Sequence, residues 1–235
     1  MLLLAGASRS PAVGAGAKGL TVRTQEPGRD DAPTPATTAC IVLAGGRSSR
    51  MGRPKATLDF GGVPLVAYVI ARVRPLVSEV VVLAAAAQPL PRVDARVIRD
   101  QLFEEGPLPA LALGLASITT PWAFAVGCDT PFVRRALLRA LAAEVGAARA
   151  AIPSAGDRLQ PLLALYHRDL AAPLQRLVAS GERRLHAIAT LPDVVVVPGA
   201  RLTAADPDGL SFRSLNTPAE YADALRRLDA GIDDA

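Results

Sequence analysis

The amino-acid sequence predicts an α/β fold, a three-layer α/β/α sandwich built around a mainly parallel sheet. The first observation behind this prediction is that short apolar segments alternate with amphipathic segments of helical period along most of the chain. Continuous apolar strands separated by helices are typical of a parallel sheet that is covered on both faces. The second observation is that several apolar segments run directly into polar or glycine-containing loops. In such sheets ligands bind beyond the carboxyl ends of the strands, so a binding site is expected at these loops.

The positions of the elements follow from this alternation. The predicted strands are residues 40–44, 80–84, 95–98, 122–127, 148–153, 162–166 and 194–197. The predicted helices are residues 64–73, 108–117, 133–145, 169–180 and 218–228. Residues 1–38 contain scattered Gly, Pro, Thr and charged residues without sustained periodicity. We therefore predict a disordered N-terminal extension over residues 1–38 and a folded domain over residues 39–235.

Composition and charge exclude several classes of protein. Hydrophobic residues make up 50% of the chain and charged residues 20%, so a packed core is expected. The formal charge is +4, but the arginines are spread over many predicted helices, which favours small anionic ligands over nucleic acid. Cys40 and Cys128 lie far apart in apolar segments without metal-ligand neighbours, so we expect reduced, buried thiols in a cytoplasmic protein and no zinc site. No apolar stretch of the sequence reaches the ~20 residues that a membrane helix requires.

The loop after the first predicted strand, LAGGRSSRMGRPK at residues 43–55, has the clearest chemical meaning. Gly45 and Gly46 allow the backbone to approach a ligand closely and to turn its N–H groups toward phosphate. The serines and arginines add donors and positive charge, and Lys55 ends the segment. The spacing is neither that of a Walker loop nor that of G-x-G-x-x-G. The alternative interpretation is a flexible, solvated basic loop.

Polar residues near later strand ends are further candidates for a site. Asp100 follows the third predicted strand, Asp129 follows the fourth, and Asn216 precedes the last predicted helix. Each has a structural alternative. Asp100 is also suited to a turn, and Asp129 and Asn216 are suited to helix N-caps because each stands directly before a Thr-Pro pair. For Lys55 the alternative is a solvated side chain.

Together these motifs resemble one branch of the nucleotidyltransferases. L-A-G-G-R-S-S-R-M-G-x-x-K is similar to the signature of nucleotidyltransferases with a GT-A-like, Rossmann-related fold, and the later motifs resemble those of the molybdenum cofactor guanylyltransferase family. The resemblance covers roughly residues 39–228. The later motifs, in family order, are Gly61-Gly62-x-Pro64-Leu65, Asp100 before Gly106-Pro107-Leu108, Cys128-Asp129-Thr130-Pro131-Phe132, Gln160-Pro161-Leu162 with Tyr166, Gly181-Glu182-Arg183-Arg184-Leu185, and Asn216-Thr217-Pro218.

The resemblance implies a magnesium-dependent enzyme that transfers GMP from GTP to molybdopterin and releases pyrophosphate. It implies that Lys55 and Asp129 are catalytic and that Asp129 also holds Mg²⁺, a hard cation suited to oxygen ligands. Asn216 is a candidate contact for the substrate or a second metal. Molybdoenzymes or their chaperones would receive the product. The nucleotide-binding residues implied by the resemblance are Leu43, Ala44, Gly45, Gly46, Lys55, Asp100 and Asp129.

The sequence departs from the family pattern at three places, and these departures leave the nucleotide and the acceptor open. An Asn that relatives often carry after the second strand is replaced by Ala84-Ala85-Ala86-Ala87-Gln88, Pro109-Ala110 stands where Ala-Gly is usual, and Ser214 replaces a further Asn. Gly45 favours guanine, because the cytidylyl branch usually has Ala there. The alternatives are a cytidylyltransferase of the same cofactor, a guanylyltransferase of deazaflavin or cobamide synthesis, and a non-catalytic protein that binds nucleotide and delivers the cofactor.

Overall fold

The fold is centred on an eight-stranded sheet. It is described here from a computed structural model that covers residues 32–45, 51–100 and 105–231, with the side chain of Asp100 excepted. The strands are β1 (Thr38–Leu43), β2 (Asp59–Phe60), β3 (Val63–Pro64), β4 (Glu79–Ala85), β5 (Arg96–Asp100), β6 (Trp122–Gly127), β7 (Ala150–Ala155), β8 (Arg158–Leu159), β9 (Leu163–His167) and β10 (Val194–Pro198). The helices are α1 (Leu65–Val73), α2 (Pro107–Ser117), α3 (Arg135–Glu144), α4 (Ala171–Ala179) and α5 (Pro218–Asp229).

The strands of the main sheet lie in the order β10-β7-β9-β6-β1-β4-β5, with β8 paired to β7. β6, β1, β4 and β5 form consecutive parallel pairs, and β10 is parallel to β7. β9 runs antiparallel to both of its neighbours, β6 and β7. The prediction of a mainly parallel sheet is therefore confirmed, with one full-length strand inserted in the opposite direction.

Helices cover both faces of the sheet, which confirms the three-layer architecture. Alternate residues of β1 point to opposite sides: Cys40 and Val42 join one apolar cluster, and Ile41 joins the other. The first cluster contains the apolar faces of α1 and α3, and the second contains those of α2 and α4. The packing of α2 is especially close, since a Cβ added at Gly114 would lie only 2.9 Å from Cγ2 of Ile41.

A third apolar cluster ties the C-terminal part of the chain to the small β2–β3 hairpin. Phe60 lies at its centre, fully buried, with the ring of Phe132 at a centroid distance of 6.1 Å. Leu215 and Ala224, from the segment before α5 and from α5 itself, belong to the same cluster. The hydroxyl of Tyr221 on α5 donates to the carbonyl of Asp59. These contacts bring the start of α5 beside the loop that follows β1.

The described part of the chain begins slightly before the predicted domain boundary. A 3-10 turn, Pro35–Thr37, is capped by Thr34 and leads into β1, which starts at Thr38. Residues 1–31, most of the predicted extension, lie outside the described residues. Within the part of the chain that is described, no helix has the length and hydrophobicity to cross a bilayer.

A buried ion pair network fixes the segment that leads toward α5. The Arg134 guanidinium lies 3.2 Å from Asp206 and 2.7 Å from Asp208, and the side chain of Asp206 is fully buried. The backbone N–H of Arg134 donates to the hydroxyl of Ser211, whose own N–H donates to Asp206. Arg134, directly before α3, thus joins this segment to the start of that helix. Loss of its guanidinium would leave the buried charge of Asp206 uncompensated.

We expect Arg134→Met to lower the free energy of unfolding by about 3–5 kcal/mol, because Asp206 would be buried without its cation. Burial already raises the pKa of Asp206. Because the pKa of Asp206 is raised in the folded state, its ionised form destabilises the fold. The loss of unfolding free energy in Arg134→Met should therefore be complete at neutral pH and become smaller as the pH falls and Asp206 is protonated. Denaturant unfolding at neutral pH and at an acidic pH measures the loss of unfolding free energy under both conditions. The matched control is Arg135→Met at an exposed neighbouring position, and an equal loss in both variants would contradict the prediction.

Candidate active site

Three polar side chains from distant parts of the sequence meet at the carboxyl edge of the sheet. The ammonium Nζ of Lys55 lies 2.7 Å from Oδ2 of Asp129 and 2.7 Å from Oδ1 of Asn216. Lys55 ends the loop that follows β1, Asp129 follows β6, and Asn216 precedes α5. The structure therefore brings together three of the residues that the sequence singled out.

The position of Asp129 is set by the end of β6 and by its neighbours. The Thr130 hydroxyl donates to the carbonyl of Gly127, which closes a tight turn, and the Leu215 N–H donates to the carbonyl of Asp129 at 2.9 Å. A Cβ at Gly127 would lie 2.6 Å from Oδ1 of Asp129, so a larger residue at position 127 would crowd this carboxylate in its observed orientation. The helix that follows, α3, starts only at Arg135. The alternative of Asp129 as a helix N-cap is therefore wrong.

The N-cap alternative for Asn216 is wrong as well. Thr217 caps α5, and its side chain and that of Glu220 form a reciprocal capping box. Glu220 also accepts from the backbone N–H of Asn216, and this bond is the main reason why the pKa of Glu220 is lowered. The Asn216 amide donates to the Ser214 hydroxyl at 2.8 Å, so its oxygen is turned toward Lys55. Ser214, one of the departures from the family pattern, thus orients Asn216.

The end of β1 forms the second part of the site. The carbonyl of Leu43 accepts from the backbone of Cys128, and the N–H of Ala44 donates to Leu83 in β4. These bonds place the start of the glycine loop between the ends of β6 and β4. Gly45 is half-buried at this edge. Gly46, which was predicted to contact the nucleotide, lies in residues 46–50, outside the described part of the chain.

Asp100 lies at the far end of the same edge. It is the last residue of β5, level with Ala85 of β4, and β4 separates it from β1. Its side chain lies outside the described residues. The backbone therefore puts Asp100 at the carboxyl edge, and its contact with a nucleotide stays a prediction.

Gln88 also belongs to the polar contacts at this edge, although in the sequence it stood out only as part of a departure from the family pattern. Its amide Nε2 donates to the carbonyl of Ala44 at 2.6 Å, and its Oε1 accepts from the N–H of Ala85 at 3.4 Å. The guanidinium of Arg99 donates to the carbonyl of Gln88 at 2.8 Å. The side-chain amide thus ties the end of β1 to the end of β4. An amide directly after a run of alanines at a strand end is the signal that could have identified it.

A cleft of about 500 Å³ opens beside Asp129. Arg183 lies on its wall, held by Glu105 at 2.9 Å, and Arg184 is paired with Glu182. The hydrogen bond from the Arg184 guanidinium is the main reason why the pKa of Glu182 is lowered to about 2. The lining residues are Gly106, Pro107, Asp129, Thr130, Gln160, Pro161, Leu162, Leu163, Arg183, Arg184, Leu185, His186, Ser211, Phe212 and Ser214. The cleft therefore combines apolar walls with cationic side chains.

Both cysteines are buried, and the thiol of Cys128 donates to the carbonyl of Ala44. Cys40 and Cys128 are both free and buried, as predicted. Burial raises the pKa of Cys40 to about 12 and raises that of Cys128 as well. Because the thiolate is the reactive form, both side chains are inert at neutral pH.

The oxygen ligands at the site fit a magnesium ion that is shared with a substrate. Within the described residues no cluster of three His, Cys, Asp or Glu side chains forms a self-sufficient metal site. Mg²⁺ is commonly held by only one or two carboxylates, with waters and substrate phosphates completing the octahedron. Asp129 supplies one carboxylate, and the amide oxygen of Asn216 converges on the same cation position. This donor set suits a hard cation that binds together with phosphate.

The fold and this edge define a nucleotide-binding α/β domain of the nucleotidyltransferase type. The model of the MobA-like NTP transferase domain matches residues 40–195, and the chain belongs to that family. A probable molybdenum cofactor guanylyltransferase from Chloroflexus aggregans is 39% identical over 185 residues, which cover 76% of this chain and 88% of that protein. A protein of the same name from Mycobacterium avium is 41% identical over 176 residues, 71% of this chain and 88% of that one.

A solved structure supports the fold assignment. The crystal structure of molybdopterin-guanine dinucleotide biosynthesis protein A from Archaeoglobus fulgidus aligns with a TM-score of 0.69. The alignment covers 82% of this chain and 99% of that one at 24% identity. The implied GT-A-like, Rossmann-related architecture is thereby confirmed.

We expect Gln88→Met to loosen the end of β1 without unfolding the domain. Methionine keeps the length of the side chain but can neither donate to Ala44 nor accept from Ala85. Loss of the short bond to Ala44 alone, about 1 kcal/mol, corresponds to about fivefold more local opening. Hydrogen–deuterium exchange of the Ala44 and Gly45 amides measures this opening. Gln175→Met, at an exposed site on α4, is the control. Unchanged exchange in Gln88→Met would show that the amide does not hold the strand end.

Proposed function

We propose that this protein transfers GMP from GTP to the molybdopterin form of the molybdenum cofactor and releases pyrophosphate. The observation that carries the proposal is the convergence of Lys55, Asp129 and Asn216 at the carboxyl edge, beside a glycine loop and a cleft. Membership of the MobA-like family and the names of the relatives support the same reaction. Direct measurement of pyrophosphate release with GTP, CTP, ATP and UTP against molybdopterin tests it.

In the proposed reaction a phosphate oxygen of molybdopterin attacks the α-phosphorus of GTP in line. The bond from the α-phosphorus to the oxygen that bridges it to the β-phosphorus breaks, and pyrophosphate leaves with that oxygen. A phosphate monoester is already anionic at neutral pH, so the attacking oxygen requires no general base. The work of the protein is to position the groups and to stabilise charge.

Each part of the edge has a role in that proposal. The backbone N–H groups of the loop that starts at Leu43, Ala44 and Gly45 would cradle the phosphates. Lys55 would offset the negative charge that develops on the phosphoryl oxygens during transfer. Asp100 would contact the nucleoside from the end of β5.

The proposal includes Mg²⁺ as cofactor. Asp129 would hold the ion, and Asn216 is the candidate for a second oxygen ligand. When bound, Mg²⁺ neutralises the triphosphate and stabilises the departing pyrophosphate.

The cleft of about 500 Å³ is the proposed acceptor site. It adjoins Asp129, so an acceptor phosphate there would face the α-phosphorus. Apolar walls such as Pro161 and Phe212 suit a flat ring system, and Arg183 and Arg184 suit its anionic groups. We also propose a cytoplasmic location, which the two free, buried cysteines support. Molybdoenzymes or their chaperones are the proposed recipients of the product.

We expect Asp129→Ala to abolish pyrophosphate release while the protein stays folded. The lost contact with Lys55 is a partly exposed ion pair, which contributes roughly 0–1 kcal/mol to stability. Turnover at limiting Mg²⁺ and the melting temperature measure the two effects. Asp157→Ala, an exposed carboxylate in the turn before β8, is the control and should retain full activity. A near-normal rate in Asp129→Ala would contradict the metal assignment.

The choice of nucleotide gives a second test. We expect the wild type to prefer GTP over CTP, and Gly45→Ala to lower kcat/KM for GTP more than for CTP, because a new methyl would press on the larger purine. One methyl group changes discrimination by about 1–3 kcal/mol, or roughly 10–200-fold. The measurement is kcat/KM for both nucleotides with the same molybdopterin acceptor. Equal or better use of CTP by the wild type would overturn the guanylyl assignment and leave nucleotidyl transfer standing.

A further inference from the structure

The Lys55 ammonium occupies the point at which two oxygen ligands converge. Its Nζ lies 2.7 Å from Oδ2 of Asp129 and 2.7 Å from Oδ1 of Asn216. The side chains of Lys55 and Asp129 are only 16% and 23% exposed. A cation thus already sits where the proposed function places the metal.

We propose that Lys55 is an exchangeable occupant of the cation site. Without nucleotide its ammonium binds Asp129 and Asn216; when a divalent cation enters with a triphosphate, the ammonium leaves these oxygens and moves onto the phosphates. The inference rests on the proposed function for the identity of the ligands, but it concerns the competition between two cations for one pair of oxygens.

The ammonium of Lys55 and a divalent cation would compete for the same oxygen of Asp129, Oδ2. Oδ1 of Asp129 lies beside Gly127, on the side where a Cβ at that residue would come within 2.6 Å of it. Oδ2 is the oxygen that points to the site, and Lys55 holds it. An ammonium and a divalent cation on the same oxygen would repel each other, so one has to leave before the other binds.

The backbone of Asp129 and the side chain of Asn216 are held in place independently of Lys55. The N–H of Leu215 donates to the backbone carbonyl of Asp129, which joins the two segments directly. The side-chain amide of Asn216 is oriented by Ser214, and the N–H of Asn216 is held by Glu220. Removal of the Lys55 ammonium therefore leaves the Asn216 oxygen oriented and the backbone of Asp129 fixed beside it.

Lys55 itself is built to move only its side chain. Its carbonyl accepts from the N–H of Leu58, and the Thr57 hydroxyl donates to the carbonyl of Pro54, so the backbone is fixed in a short 3-10 turn. The long side chain of lysine is a compact charge on a flexible stem and can change partners by rotation alone.

Two consequences follow for ligand binding. A divalent cation alone binds weakly, because it has to displace an ammonium that then has no anion to pair with. When a triphosphate is present the displaced ammonium has a new partner, so metal and nucleotide bind cooperatively. Lys55 therefore couples the two ligands and suppresses metal binding to the empty enzyme.

The test is binding of Mn²⁺ alone, without nucleotide, measured by electron paramagnetic resonance on the full chain. Lys55→Met keeps the length of the side chain and removes its charge. We expect it to bind Mn²⁺ more tightly than the wild type by up to about fivefold, in line with the loss of a competing ion pair. We also expect its GTP-dependent turnover to fall. A gain in metal affinity together with a loss of turnover is a pair of results that simple misfolding does not produce.

The matched control is Arg53→Met, which removes the same formal charge two residues away at an exposed position of the same segment. Its Mn²⁺ affinity should stay close to that of the wild type. Adding Asp129→Asn or Asn216→Ala to Lys55→Met should remove or reduce the gain, which locates the bound ion.

The proposal is overturned if Lys55→Met binds Mn²⁺ no more tightly than the wild type, or if Arg53→Met gains as much. Its failure is distinguishable from failure of the proposed function. A gain in Mn²⁺ affinity in a protein that transfers no nucleotide would keep the exchange and reject the reaction, and the reverse result would reject only the exchange.

Discussion

The contact of Lys55 with Asp129 and Asn216 is the constraint around which the functional edge is organised. It joins the loop after β1, the end of β6 and the segment before α5. Asp129 lies 74 residues and Asn216 161 residues from Lys55 along the chain. The contact requires that β1 lies directly beside β6 in parallel register, as it does from Thr38 opposite Trp122 to Leu43 opposite Gly127. It also requires that the C-terminal segment returns to the same edge.

Apolar packing meets both requirements. The strands β1 and β6 are buried along their whole length and are apolar apart from Thr38, so their register is fixed by side chains above and below the sheet. The return of the C-terminal segment depends on the third apolar cluster around Phe60 and on the buried Arg134–Asp206 pair. The site thus stands where three separately stabilised parts of the molecule meet, and its polar residues contribute little to stability themselves.

The sequence predicted the elements well because their signals are local. Each predicted strand and helix in the described residues corresponds to an observed one, with ends that differ by a few residues. The direction of β9 could not be predicted, because a short apolar segment fits a parallel and an antiparallel strand equally well. The cap assignments of Asp129 and Asn216 stayed open for a related reason: a Thr-Pro pair predicts a cap nearby, but only tertiary structure decides which residue provides it.

Long-range polar contacts were the part that sequence could not supply. Gln88 lies 44 residues from the carbonyl that it binds, and Arg134 lies 72 residues from Asp206. Neither belongs to a recognised motif, and each side-chain type is common on protein surfaces. The candidate residues themselves came from the resemblance of motifs to a family. Their convergence on one cation position became visible only in the structure.

A crystal structure with Mg²⁺ and a non-hydrolysable GTP analogue would show directly whether this edge binds a nucleoside triphosphate together with its metal. We expect the metal to contact both Asp129 and the triphosphate, the loop beginning at Leu43 to enclose the phosphates, and the α-phosphorus to face the cleft lined by Arg183 and Phe212. A nucleotide bound away from the carboxyl ends of β1 and β6, or a metal without contact to Asp129, would contradict it.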